Sequence, residues 1–337
     1  MIRQDCPYHG EGDPVGSNAI SSVPDNPALP PVVIIAGPTA SGKSALALDL
    51  AELFDGTIIN ADALQIYRDL PILTAWPEAA AMARVPHLLY GWLDAAERGS
   101  AGRWREAALG EIAASHRAGR LPIVVGGTGL YLRALREGLA AIPPIPPEVR
   151  AKAAALYGEL GGERFRAELG RLDPESAALL PSGDRQRLIR AFEIVRATGI
   201  PIGAWQRRKP DQAPYRFASI LLMPPREALY AACDARFLRM IEAGALGEAA
   251  ALAARALAPD LPAMKGVGVP ELLRHLRGDI SLDEAIALAM RETRRYAKRQ
   301  TTWFRHQMAA GLRLNEQYSE SLLRCSCHFV DQLLLTG

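Results

Sequence analysis

The chain's most chemically loaded segment is Gly37-Pro38-Thr39-Ala40-Ser41-Gly42-Lys43-Ser44. It fits the spacing G-x-x-x-x-G-K-[S/T], in which glycines let backbone N–H groups wrap a phosphate and the lysine adds a point charge. The helix expected to follow contributes its positive N-terminus. Ser44 supplies a hydroxyl suited to Mg²⁺ bridging phosphate oxygens. Some diphosphate or triphosphate is expected here, and the spacing does not say which. A second candidate is Asp62, closing Asn60-Ala61-Asp62, where a carboxylate could ligate metal, accept a proton or cap the next helix. A third segment, Gly126-Gly127-Thr128-Gly129-Leu130-Tyr131, carries no carboxylate, unlike the Mg²⁺-binding strand end of ordinary nucleotidases with such a loop.

These groups need rigid strand ends to meet. Pro31-Val32-Val33-Ile34-Ile35-Ala36 is a β-branched run suited to a buried parallel strand. Helical spacing runs from Ser44 to Leu53, a second strand from Gly56 to Ala61, and a further strand from Leu121 to Val125, followed by a helix from Leu130. Alternating strands and helices predict an α/β fold, a P-loop NTPase-like parallel sheet with helices on both faces. Carboxyl ends of such strands open on one crevice, so Asp62 is expected beside Lys43. The prolines of Ile142-Pro143-Pro144-Ile145-Pro146-Pro147 predict a stiff hinge. From Glu148 to Thr198 the pattern is helical and charged, and a lone strand returns at Phe217 to Met223. The expected organisation is a leader at 1–30, disordered, a core at 31–142 and 214–312, a helical insertion at 143–213, and a tail at 313–337 with no assignable role.

Length, at 337 residues, suits about two domains. Hydrophobic residues at 49% and charged residues at 23% exclude disorder throughout. A net charge of +2 excludes a uniformly basic coat protein. Four scattered cysteines argue against a disulfide framework. Without a signal peptide or an apolar stretch long enough to span a bilayer, the chain reads as cytoplasmic with no membrane partner. Charge is nonetheless concentrated. Arg185, Arg187, Arg190, Arg196, Arg207, Arg208 and Lys209 face one acidic residue, Glu193; Arg291, Arg294, Arg295, Lys298, Arg299 and Arg305 face Glu292 alone. Either run alone could be a solvated helix face; together they favour a polyanion such as nucleic acid. Cys325-Ser326-Cys327-His328 lacks the second ligand cluster that zinc would require.

Several segments in order resemble the tRNA dimethylallyltransferase (IPP transferase) family. They are the loop Gly37 to Ser44; Asn60-Ala61-Asp62 with Gln65 and Tyr67; Pro86 to Gly91 followed by Asp94; and Val125 to Tyr131. Leu172 to Glu175 leads to Asp184 through Glu193, then Thr198-Gly199, and finally Thr293 to Arg305. The resemblance covers about residues 32 to 310. It implies transfer of a dimethylallyl group from its diphosphate to N6 of adenosine 37, in tRNAs reading codons that start with U, by a monomer using Mg²⁺ on Ser44. By the same resemblance, Asp62 is the proton acceptor, Thr39 a hydroxyl donor to the bridging oxygen, and Arg236 the arginine that reaches the diphosphate. Contacts to the tRNA anticodon stem-loop fall on Asp62, Ala63, Leu64, Gln65, Thr128, Arg150, Gln186, Arg187, Leu188, Ile189 and Arg190, although the apolar side chains of Leu188 and Ile189 are expected to pack beneath the insertion.

Three positions depart from that pattern: Ala63 replaces a serine, Val269 a tyrosine, and Leu180 to Asp184 lacks the usual His-Pro-Asn spelling. Two other readings fit part of the chain. A nucleoside or nucleotide kinase using ATP would share the loop and sheet but want a carboxylate at the later strand. A non-catalytic RNA-binding protein would make Asp62 dispensable.

Overall fold

A computed structural model describes residues 29–208 and 211–335. The leader expectation, apart from Leu29 and Pro30, lies outside the described residues, as does Lys209 of the first basic run. The chain divides into two compact units, one spanning 1–136 and 213–337, the other 137–212.

The larger unit is built on six parallel strands: β1 (Pro31–Ala36), β2 (Gly56–Asn60), β3 (His87–Leu88), β4 (Leu121–Gly126), β5 (Arg216–Leu222) and β6 (Leu312–Leu314), in the order β3-β2-β4-β1-β5-β6. Its helices before the insertion are α1 (Lys43–Leu53), α2 (Ala79–Arg84), α3 (Ala101–Arg117) and α4 (Gly129–Glu137). The insertion carries α5 (Pro147–Leu172), α6 (Pro174–Leu179), α7 (Arg185–Thr198) and α8 (Ile202–Gln206). After it come α9 (Arg226–Glu242), α10 (Ala245–Ala254), α11 (Val269–Leu276), α12 (Leu282–Gln307) and α13 (Glu320–Leu335).

Strand side chains alternate between the faces. Val32, Ile34 and Ala36 join Ile59 and Val124 in a core with Trp104, Tyr131, Phe237 and Phe304. Val33 and Ile35 join Ile58, Ile123 and Val125 in a second core beneath Leu46 and Leu50 of α1 and Leu322, Phe329, Val330 and Leu333 of α13. The tail therefore has a structural role that the sequence reading left blank. The same core takes in Ala218, Ile220 and Leu222 of β5 and Leu312 and Leu314 of β6. Cys327 is buried within α13 as part of that core. Val269 opens α11 and is likewise core. No helix among the described residues is long and apolar enough to cross a membrane.

Capping explains the spelling of the helical unit. Asp173 accepts from the Ser176 N–H at 3.0 Å with Pro174 in the first helical position, which sets the start of α6. Asp184 accepts from the Arg187 N–H at 3.3 Å to start α7, and Gly199 ends it at φ +70°. The unit's core packs Phe165 and Leu169 of α5 against Leu188, Ala191 and Phe192 of α7. A second cluster gathers Ile145, Ile194 and Trp205 with Ile142. That packing is why the unit begins at Glu137, ahead of the proline run rather than at its start.

Candidate active site

Register brings the candidate residues to one level. Ala36 pairs with Gly126 and with Leu221, and Asn60 pairs with Val125. The turns after β1, β2 and β4 thus leave the sheet side by side. The Ala61 N–H donates to Val125 O at 2.7 Å, and the Thr128 N–H donates to Ala61 O at 3.3 Å. A Cβ on Gly126 would stand 2.2 Å from Ala61 O, so only glycine permits this approach.

The loop after β1 delivers a bare helix N-terminus. Gly42, at φ +88°, occupies the N-cap of α1 and offers no side chain to its first-turn N–H groups, which remain for an anion. Lys43 folds back so that Nζ donates to Pro38 O at 3.4 Å. Burial pushes its pKa down to about 8, with Asp62 opposing and Arg236 adding to the fall. Arg236, on α9, donates to Thr39 Oγ1, and burial lowers its pKa too. Neither cation belongs to an ion pair among the described residues. Burying cations without paired carboxylates is costly, and an anionic ligand supplies what the protein withholds.

Asp62 is held by its own turn. Its N–H donates to Asn60 Oδ1 at 2.9 Å, while its Oδ1 accepts from the Leu64 N–H at 2.9 Å. The helix-cap reading is not met, because a turn rather than a helix follows and the next helix starts only at Ala79; the turn and proton-acceptor roles are compatible, since Oδ1 serves the turn and Oδ2 is engaged by no donor among the described residues. Burial raises the phenol pKa values of Tyr90, Tyr131 and Tyr296, and the nearby Asp62 charge adds to each. They stay protonated around the carboxylate.

A pocket opens between these groups. Thr39, Asp62, Cys233, Arg236, Thr293 and Tyr296 form its polar wall, and Leu64, Leu73, Phe237, Met240 and Val267 an apolar one. One wall is fixed by Gln65, whose Nε2 donates to Thr74 O and Ala75 O, both at 2.9 Å, and by Glu248, whose carboxylate accepts from the Ile72 and Leu73 N–H groups at 2.7 and 2.8 Å.

Gln300 was not singled out by sequence reasoning. From α12 its Oε1 accepts from the Thr39 N–H at 2.8 Å and its Nε2 donates to Gly127 O at 2.9 Å, bridging the turns after β1 and β4. The available signal was one amide, beside the smaller Thr293, in the buried α12 stripe Ala289, Thr293, Ala297, Gln300, Phe304. Trp303 covers Gly129, where a Cβ would lie 2.3 Å from its ring.

The structure thus joins Thr39, Lys43, Asp62 and Arg236, with the rest of the loop. Ala63 and Thr128 meet as well: the Ala63 N–H donates to Thr128 Oγ1 at 2.9 Å, so a hydroxyl that the resemblance gives to tRNA holds the Asp62 turn. Ser44 is exposed in the first turn of α1. Arg150, Gln186, Arg187, Leu188, Ile189 and Arg190 lie on the helical unit. There Arg150, Gln186 and Arg187 are exposed, and Arg190 pairs with Glu193 at 3.3 Å. Leu188 and Ile189 pack as expected of their side chains: Leu188 is fully buried against α5 and Ile189 lies partly in the same core, which corrects the place of Leu188 among the tRNA contacts, since its side chain cannot touch RNA. Leu188→Ala should destabilise the helical unit by about 2–5 kcal/mol. Arg187→Ala should leave the melting temperature unchanged and weaken tRNA binding, the pair being separated by thermal unfolding and filter binding.

A phosphate loop facing a pocket that is half apolar defines a group-transferring α/β enzyme rather than a bare nucleotide hydrolase. The IPP transferase family profile matches residues 65–307. A protein of Rhodospirillum centenum named tRNA dimethylallyltransferase is 59% identical over 86% of this chain and 93% of its own length. One of the same name from Rhodospirillum rubrum is 51% identical over 93% of this chain and 98% of its own. The crystal structure of a tRNA isopentenylpyrophosphate transferase from Bacillus halodurans superposes with a TM-score of 0.66 at 32% identity, covering 90% of this chain and 97% of that one. A eukaryotic dimethylallyltransferase acting on tRNA gives 0.71 at 28% identity, over 82% and 70%. The chain belongs to the IPP transferase family.

Proposed function

We infer that the enzyme transfers a dimethylallyl group from dimethylallyl diphosphate to N6 of adenosine 37 of tRNA. The observation that carries the donor half is a pocket lined by Thr39 of the phosphate loop and Arg236 on one side and by apolar side chains on the other, with Lys43 and Arg236 both half-buried and outside any ion pair among the described residues. That combination matches a diphosphate joined to a short hydrocarbon.

In the reaction, N6 forms a bond to C1 of the dimethylallyl group as the C1–O bond breaks, and its electron pair leaves with the diphosphate. The N6 proton passes to Asp62, through the oxygen that does not cap Leu64. An exocyclic adenine amine is a weak nucleophile, and a positioned base raises its reactivity. Lys43, Arg236 and the α1 N–H groups take up charge growing on the leaving oxygens. Thr39 Oγ1 accepts from Arg236 and so has its own proton to give the bridging oxygen. The tRNA places a single unpaired loop base, which costs less to splay out than a base in a duplex. Exposed Gln186 and Arg187 on the helical unit suit contacts to the anticodon stem.

Ser44 fits Mg²⁺: it offers a hard hydroxyl oxygen in the first turn of α1, and Mg²⁺ takes few protein ligands when phosphate oxygens and waters complete its shell. Mg²⁺ there would neutralise part of the diphosphate charge.

Dimethylallyl diphosphate and an unmodified tRNA with A36-A37-A38 should give a C5 increment on A37 by mass spectrometry. Transfer of phosphate from ATP, with the prenyl donor ignored, would instead mark a kinase. The donor's affinity should also depend on pH. Bound diphosphate holds Lys43 protonated, so above pH about 8 the complex carries more protons than free enzyme and binding weakens as pH rises. Calorimetry should find affinity flat below that value and about tenfold lower one pH unit above it.

A further inference from the structure

We propose that residues 315–318, which lead from β6 to α13, form a strap that positions the phosphate loop for the diphosphate, with Gln317 as its positioning residue. This rests on the reading that the loop holds the diphosphate of the prenyl donor.

The contacts are specific to the loop's backbone. Gln317 Nε2 donates to Ala40 O at 2.7 Å, and the Tyr318 N–H donates to Ser41 O at 3.4 Å. The Tyr318 hydroxyl donates to Asp49 Oδ2 at 2.5 Å on α1, which ties the strap to the helix that the loop feeds. A Cβ on Gly42 would stand 2.5 Å from Tyr318 Cβ, so the strap lies directly on the loop.

The loop needs such holding. Ala40 sits at φ +62°, a left-handed conformation that costs a non-glycine residue roughly 1–2 kcal/mol and persists where neighbours over-determine it. Its carbonyl is the one Gln317 engages. In a trans peptide the carbonyl and the N–H of the following residue point in opposite directions. Fixing Ala40 O and Ser41 O towards the strap therefore turns the Ser41 and Gly42 N–H groups away from it. The Gly42 N–H is then available to an anion in the loop. Gln300 secures the preceding Thr39 N–H from the far side. The loop's peptide planes are thus held by α12 and by the strap before ligand arrives, which lowers the ordering cost of binding.

The Gln317 side chain makes this contact at a cost. Its Oε1 is buried without a hydrogen-bond partner, so the residue is kept for its donor rather than for a satisfied amide.

The test uses the full-length enzyme, inorganic pyrophosphate as the binding probe, and Gln317→Met, which keeps the length of the side chain and removes the donor. Calorimetry should show pyrophosphate affinity about tenfold weaker than wild type, the size of one lost hydrogen bond that orders a site. KM for dimethylallyl diphosphate should rise by a similar factor, with kcat within about twofold and tRNA affinity and melting temperature unchanged. Gln317→Glu, the isostere, also lacks the donor and sets an acceptor against Ala40 O; weakening at least as large is expected. Pyrophosphate affinity equal to wild type in both variants would overturn the proposal. So would equal losses of tRNA and pyrophosphate affinity with a lowered melting temperature, which would make the strap a packing strut. Wild-type enzyme that binds neither pyrophosphate nor the prenyl donor would instead remove the diphosphate reading beneath it.

Discussion

Asp62→Ala should reduce single-turnover prenyl transfer by about 10³-fold or more, the upper range for loss of a positioned proton acceptor. Binding of tRNA and of the prenyl donor should survive, since the loop N–H groups, Lys43, Arg236 and the helical unit all remain in place. A structural cost accompanies the change, because Asp62 Oδ1 caps the Leu64 N–H. Asp62→Asn separates the two effects: its side-chain oxygen can still accept from Leu64, but it takes no proton. Both variants should be similarly inactive, while Asp62→Asn keeps the wild-type melting temperature. Activity of Asp62→Asn near wild type would leave the carboxylate a turn-forming residue only.

Lys43→Met should produce the opposite pairing of stability and function. The ammonium is half-buried and outside any ion pair among the described residues, and burial draws its pKa down from 10.5 to about 8, which reflects a cost of its charge to the ligand-free fold at neutral pH. Below both the folded and the unfolded pKa that cost is present in full, of the order of 1–3 kcal/mol. Removing it should raise the melting temperature of the ligand-free enzyme by a few degrees, roughly 2–4 °C per kcal/mol in a chain of this size class. The same change should lower kcat/KM for the prenyl donor by about 10²–10³, because charge growing on the leaving diphosphate loses a buried counter-charge. A strained charge kept for its ligand gains stability when removed and loses function. Thermal scans in the presence of pyrophosphate should reverse the order of the two proteins.

The parts legible in the sequence were those fixed by neighbours along the chain. A β-branched run before Gly37 and helical spacing after Ser44 gave β1 and α1, and the glycines gave the loop between them. Asp62 at the end of β2 followed from the rule that parallel strands open on one edge. What escaped depended on distant partners. The α13 face of Leu322, Phe329, Val330 and Leu333 has meaning only beneath the odd-numbered side chains of β1, more than two hundred residues earlier. Gln300 is one amide in a helical stripe until α12 is laid across the turns after β1 and β4. The departures Ala63 and Val269 fall where the fold tolerates them: Ala63 contributes its backbone N–H to Thr128, and Val269 fills core.

A crystal structure of the enzyme with an anticodon stem-loop and a non-reacting thio-analogue of dimethylallyl diphosphate tests the account most directly. The diphosphate is expected in the Gly37–Ser44 loop against Lys43 and Arg236, with an Asp62 carboxylate oxygen about 2.6–3.2 Å from N6 of the extruded adenine. An adenine amine beyond reach of Asp62, with the hydrocarbon lying outside the apolar wall of Leu73, Phe237 and Met240, would contradict it.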